Sequence, residues 1–99
     1  MRRVRFTRSA RQQVKEAQAW WLENRDKAPT LFVDELEYVL TLIARLPGVG
    51  VEASDVRLAG VRRVLLPRTR YAVYYRIARR GGVEVLALWQ TQRGSGPEL

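Results

Sequence analysis

Eight arginines fall within residues 56–80: Arg57, Arg62, Arg63, Arg68, Arg70, Arg76, Arg79 and Arg80, with no aspartate or glutamate among them. Guanidinium groups are planar, permanently charged forks that bind phosphate or carboxylate through paired hydrogen bonds. Tyr71, Tyr74 and Tyr75 are interleaved with them, and a tyrosine ring can stack on a base. The pattern describes a surface for an anionic partner. It does not describe a proton-transfer site. The chain has no histidine and no cysteine, which removes the commonest general base, the Ser-His-Asp and Cys-His arrangements, disulfides and the usual metal ligands. No metal and no cofactor is expected.

Other side chains carry less chemistry. Asp34, Glu35 and Glu37 could suggest paired carboxylates, and Asp34 and Glu37 are three apart and share a helix face, but they lie off the apolar stripe of their helix, as a solvated face would. Trp20 and Trp21 are adjacent. Trp21 is in phase with an apolar stripe, whereas Trp20 is rotated by about 100° to its edge, where it either closes the core margin or anchors a partner. The candidate partner-binding set is therefore Arg62, Arg63, Arg68, Arg70 and Arg76, with Trp20 and Trp21.

These residues must be positioned by a small number of elements. Arg3-Val4-Arg5-Phe6 alternates as a strand, with Val4 and Phe6 on one face. Thr7 or Ser9 caps the helix that follows, Ser9 with Gln12 matching the capping-box spacing. Ala10, Val14, Ala17 and Trp21 step by four, three and four, placing them on one face of a helix to about Asn24. A polar connection spans residues 24–28, and Pro29 is expected in the first turn of a second helix. Phe32, Leu36, Val39, Ile43 and Leu46 form its apolar face, and Pro47-Gly48 ends it.

Beyond Gly50 the period becomes two. Residues 51–55 read as a loop, 56–58 as a possible strand start, and 60–66 as a strand. Pro67-Arg68-Thr69-Arg70 reads as a turn. Tyr71, Val73, Tyr75 and Ile77 share one strand face. Arg79-Arg80-Gly81-Gly82 is a hairpin turn, its paired glycines supplying positive φ. Val83, Val85, Ala87 and Trp89 then alternate with Leu86 and Leu88 in a strand apolar on both faces, as a central strand is. Residues 94–99 read as a flexible tail. The fold class is α+β in the order β-α-α-β-β-β: a helical hairpin on one face of an antiparallel sheet that the first strand completes, the other face wet or bound to a partner.

At 99 residues the chain fits one domain, residues 1–99. Area scaling for this mass gives roughly 5,800 Å² of folded surface. The net charge is +8. The window 56–80 holds eight positive charges and the remaining ten basic residues balance ten acidic ones, so the excess is local. A domain this basic expects an acidic partner. The arginine-rich N-terminus is followed by no apolar segment of signal-peptide type, and no run approaches a membrane span. A cytoplasmic location is the expectation, with no membrane partner.

Five segments in order resemble the RelE/ParE superfamily of bacterial toxins from type II toxin-antitoxin modules. They are Val4-Arg5-Phe6-Thr7-x-x-Ala10, Leu46-Pro47-x-x-Gly50, Gly60-Val61-Arg62-Arg63, Tyr71-x-Val73-x-Tyr75 and Val85-Leu86-Ala87-Leu88-Trp89-Gln90-x-x-Arg93. The resemblance spans nearly the whole chain. It implies the toxin component of a growth-inhibiting, plasmid-stabilising module, held in a hetero-oligomer by a cognate antitoxin whose C-terminal segment wraps it. One branch of the superfamily cuts mRNA in the ribosomal A site; the other poisons DNA gyrase.

Three departures favour the ParE-like, gyrase-directed branch. Ala72 stands where the nuclease branch usually places a catalytic arginine, no tyrosine follows Tyr75, and Gln90 stands where many members carry histidine. Glutamine exchanges no proton near neutral pH and arginine is effectively never a base. A ribosome-dependent mRNA endonuclease built on this chain would rely on Arg62, Arg63, Arg70 and Arg93 for charge stabilisation, with Tyr71 or Tyr74 or the ribosome handling protons. A small basic RNA-binding module is the third expectation.

Overall fold

A computed structural model of the chain describes residues 1–25 and 27–99. Strand β1 (Val4–Phe6) leads into helix α1 (Arg8–Asn24), then helix α2 (Leu31–Arg45). Strands β2 (Val51–Glu52), β3 (Arg62–Leu66), β4 (Tyr71–Ile77) and β5 (Val83–Gln90) follow, and a 3-10 turn spans Thr91–Arg93. The connection expected over residues 24–28 includes residue 26, which lies outside the described residues. Among the described residues, no helix is long and apolar enough to cross a membrane.

The sheet order is β1-β5-β4-β3-β2, which puts β5 inside the sheet, as its two apolar faces require. Pairing is antiparallel except that β1 runs parallel to β5. The α+β class stands, but the sheet is mixed rather than antiparallel throughout. The chain passes through the helical hairpin before it returns, so its first strand enters beside the last in the same direction.

Both helices cover one face. Ala10, Ala17 and Trp21 of α1 and Phe32, Leu36, Val39 and Ile43 of α2 are buried against Leu66, Val73, Tyr75, Val83, Val85 and Leu88. Thr7 is the N-cap of α1, its hydroxyl accepting from Ala10 N–H at 3.0 Å, so Ser9 lies inside the helix. Pro29 precedes α2, whose N-cap is Thr30. Leu46, expected on the core stripe, is the exposed C-cap residue of α2, because the helix ends before that turn reaches the sheet.

The second face carries a core of its own. Ala53, Val61, Ala72, Tyr74, Leu86 and Ala87 are buried there, with Val56, Trp89 and Leu99 packed on them. Residues 94–99, read as a flexible tail, lie back on this face: Trp89 Nε1 donates to Ser95 O at 2.7 Å and Leu58 N to Leu99 O at 3.0 Å. Residues 51–52 are a strand rather than a loop, since Glu52 pairs with Arg62 and Val51 with Arg63. Residues 56–58 form no strand.

The expected face assignment of β5 fails at one point. Tyr74 pairs with Ala87 but Tyr75 pairs with Val85, so Leu86 is an extra residue, a β-bulge. The bulge shifts the phase by one: Val83 and Val85 face the helices, Leu86 and Ala87 the other side, and Leu88 the helices again. Of the two hairpin glycines only Gly81 has positive φ, at 85°.

Candidate partner-binding site

Two grooves flank the Pro67–Arg70 turn, one at each free sheet margin. β1 pairs with Val83–Val85 of β5, and among the described residues no strand lies beside β5 on that edge beyond that point. A groove of about 530 Å³ opens there, lined by Gln13, Glu16, Ala17 and Trp20 of α1 and by Tyr71, Leu88, Trp89, Gln90 and Arg93. Gln13 caps part of the exposed strand edge, its amide oxygen accepting from Leu88 N–H at 2.9 Å. Arg93 lies over the Trp89 ring, 4.3 Å from its centroid, a favourable cation–π geometry. A second groove, about 450 Å³, lies toward β3 and is lined by Val49, Val51, Arg63, Val64, Leu65, Arg70, Ala72 and Thr91.

The last residue of the turn and the first of β4 serve the two grooves: Arg70 lines the second and Tyr71 the first. Arg70 holds φ at 67°, a left-handed conformation that costs a branched or long side chain roughly 1–2 kcal/mol. Its carbonyl accepts from Thr91 N–H at 2.9 Å and from Thr91 Oγ1 at 2.8 Å. The carboxylate of Glu35 on α2 accepts from Arg68 N–H (2.9 Å), Thr69 N–H (3.0 Å) and Thr69 Oγ1 (2.8 Å). Tertiary contacts therefore lock the turn from both sides. Thr69, Thr91 and Gln13 carry no sequence signal for this, because each acts on a residue more than twenty positions away, and Glu35, expected on a solvated helix face, instead holds the turn.

The fold disperses the arginine window. Arg62 Nη1 donates to Gly50 O at 2.7 Å, tying the loop after α2 to β3. Arg63 reaches Asp55 at 3.7 Å on the second face. Arg76 Nε and Nη2 both contact Glu84 Oε1 at 2.9 Å. The window contains no acidic residue in sequence, yet Asp55, Glu84 and Glu35 come to it through the fold. Arg68 and Arg70 are exposed at the turn, as expected of turn residues.

The tryptophans separate cleanly. Trp20 is 45% exposed on the first groove, and Trp21 is 7% exposed in the core. Trp21 Nε1 donates to Ala28 O at 2.7 Å, so Trp21 is no surface anchor and Trp20 alone fits that role.

The nuclease candidates do not converge. Tyr71 and Arg93 share the first groove, with Arg70 across the turn. Arg63 and Tyr74 meet Asp55 on the second face, Tyr74 donating its hydroxyl proton at 2.6 Å. Arg62 is taken by the Gly50 loop. Burial raises the pKa of Tyr71, with Arg93 partly opposing it. Burial raises Tyr74 too, and its hydrogen bond to Asp55 adds to the effect. Tyr75 is raised by burial against the Gly50 N–H that bonds its oxygen at 2.8 Å. All three phenols therefore stay protonated through neutral pH.

A family model described as the ParE toxin of the type II toxin-antitoxin system, parDE, matches residues 4–94. Among solved structures, the chain is similar to one titled the chromosomal ParDE TA system from P. aeruginosa, with TM-score 0.75 and 14% identity over 93% of this chain and 98% of that one. It is also similar to the isolated E. coli RelE toxin, with TM-score 0.60 and 14% identity over 94% of this chain and 87% of that one. No curated protein matches. At 14% identity the likeness to these structures shows the fold.

Proposed function

The chain belongs to the ParE toxin family of type II toxin-antitoxin systems, and from that premise we propose that it is a toxin that binds DNA gyrase and cuts no nucleic acid. Family membership implies an antitoxin partner.

The composition of the first groove carries this reading. It offers an exposed indole, two amides, an arginine and a phenol whose ionisation burial opposes. Its one carboxylate, Glu16, accepts from Gln12 Nε2 at 3.2 Å on the same helix. Such a set recognises a surface but lacks an assembled base and nucleophile. A chain segment of the antitoxin lies in this groove, against α1 and along the margin of β5 beyond the Leu88 N–H that Gln13 already holds. Unpaired strand edges and apolar grooves favour strand or helix addition, and Trp20 is the anchor. Arg68 and Arg70 at the adjacent turn meet acidic groups of the antitoxin or the target. The molecule exposes 6873 Å², roughly 1,000 Å² more than area scaling for its mass gives, as expected of a chain that completes its packing on a partner.

Overproduction without the antitoxin is expected to arrest bacterial growth with DNA damage while protein synthesis continues, and the purified protein to inhibit supercoiling by purified gyrase. The competing nuclease reading has one observation in its favour, the shared position of Tyr71 and Arg93. Immediate loss of protein synthesis, with codon-periodic mRNA cuts and intact DNA, would replace the gyrase reading with that one.

A further inference from the structure

The arginine window ends at Arg80 in sequence, but the fold extends it from the other end of the chain. Arg5 of β1 lies directly opposite Glu84 of β5, and Arg76 of β4 lies opposite Glu84 on its other side. Val4 and Phe6 face the helices, so Arg5 shares the second sheet face with Glu84 and Arg76. The N-terminal segment is held to the hairpin: Val83 N–H donates to Arg3 O at 2.8 Å and Arg2 Nη1 to Gly81 O at 2.8 Å. Arg2, Arg3, Arg5, Arg76, Arg79 and Arg80 thus gather at one end of the sheet, all exposed. Among the described residues only Arg76 of these six lies within ion-pair distance of a carboxylate, Glu84. A carbonyl partner leaves the charge of Arg2 uncompensated. This end is separated from the Arg68–Arg70 turn by the length of β4, roughly 20 Å.

We propose that this end of the sheet binds the phosphate backbone of duplex DNA. Its groups are guanidinium forks, which match phosphate oxygens. From Arg5 to Arg76 is two strand spacings, roughly 10 Å, a span over which the two guanidinium groups can reach neighbouring phosphates of one strand. Single strands are bound through stacking rings, and the exposed residues here include no aromatic. Protein interfaces centre on aromatic or apolar anchors and membrane surfaces take a broad apolar face; here Met1 and Ile77 are the exposed large apolar side chains. The site is distinct from the groove beside Trp20 and does not depend on the gyrase reading.

The test is fluorescence anisotropy of the full chain with a labelled duplex of about 20 base pairs and arbitrary sequence, titrated between 50 and 200 mM salt. Engagement of four or five arginines gives a slope of log affinity against log salt of about −4. R79S/R80S is expected to flatten it by about 1.8, and R3S/R5S by a similar amount, with unchanged melting curves. R68S/R70S, at the far end, is expected to change it by less than about 0.5. The proposal is overturned if R79S/R80S leaves the slope unchanged, or if R68S/R70S flattens it equally, since whole-molecule charge then suffices. It is also overturned if a single strand, polyglutamate or an anionic vesicle competes better than the duplex. Growth arrest in cells does not enter this measurement, so the two readings fail separately.

Discussion

Replacing Glu35 by alanine tests whether the turn between the grooves is held by α2. The carboxylate accepts three hydrogen bonds, from Arg68 N–H, Thr69 N–H and Thr69 Oγ1. Water can replace the bond to Arg68 N–H, because that residue is exposed. It cannot readily replace the other two, because Thr69 is 4% exposed. A buried donor left without a partner costs about 1–3 kcal/mol, so losing two costs about 3 kcal/mol once partial relaxation is allowed. A domain of this size shifts its melting midpoint by about 4–8 °C per kcal/mol. The midpoint of Glu35→Ala is therefore expected to fall by about 12–24 °C in a thermal melt, with the urea m-value unchanged and the largest amide shift changes at Arg68 and Thr69. Glu35→Gln can keep its carbonyl oxygen at the Oε1 position that serves both Thr69 donors, so it should lose much less, about 1 kcal/mol or under. A midpoint for Glu35→Ala within about 3 °C of the parent would show that the turn forms without α2, and the locked geometry argued for Arg70 and Tyr71 would be wrong.

Trp20→Ala is expected to weaken antitoxin binding by about 2 kcal/mol or more, roughly thirtyfold, and to change stability by under about 1 kcal/mol. Trp21→Ala should instead destabilise the fold by about 3–5 kcal/mol in urea unfolding; an equal loss of stability from both would contradict their different burial. Arg70→Gly removes the left-handed strain and should raise stability by about 0.5–1 kcal/mol, the gain being limited by the chain entropy of glycine. A decrease would mean that the Arg70 side chain itself holds the turn. Tyr71, Tyr74 and Tyr75 have folded pKa values above the unfolded value of about 10. The unfolded chain loses these protons first, so their contribution is complete below about pH 10 and is lost as pH rises toward the folded values. Stability measured from pH 8 to 11 should stay level and then fall above about pH 10, and Tyr74→Phe should fall less steeply; a fall that begins near pH 8 would contradict the shifts.

The sequence alone determined the parts of this protein that depend on near neighbours. The steps from Ala10 to Trp21 and from Phe32 to Ile43 specify two amphipathic helices, because spacing on a helix sets which side chains share a face. The doubly apolar run from Val83 to Gln90 specified an interior strand for the same kind of local reason. The ordered segments carrying the family resemblance were also legible, and with them the α+β architecture. The tertiary structure decided what depends on distant partners. Whether an arginine is free or spent follows from what the fold brings to it: Asp55 to Arg63, Glu84 to Arg76, and the Gly50 carbonyl to Arg62. The bulge at Leu86 reversed the faces of Ala87 and Trp89, since a single extra residue inverts a period of two. The parallel entry of β1 beside β5 joined Arg2, Arg3 and Arg5 to a hairpin more than seventy residues away. No local pattern encodes such a meeting, because it is set by the path of the whole chain through the sheet.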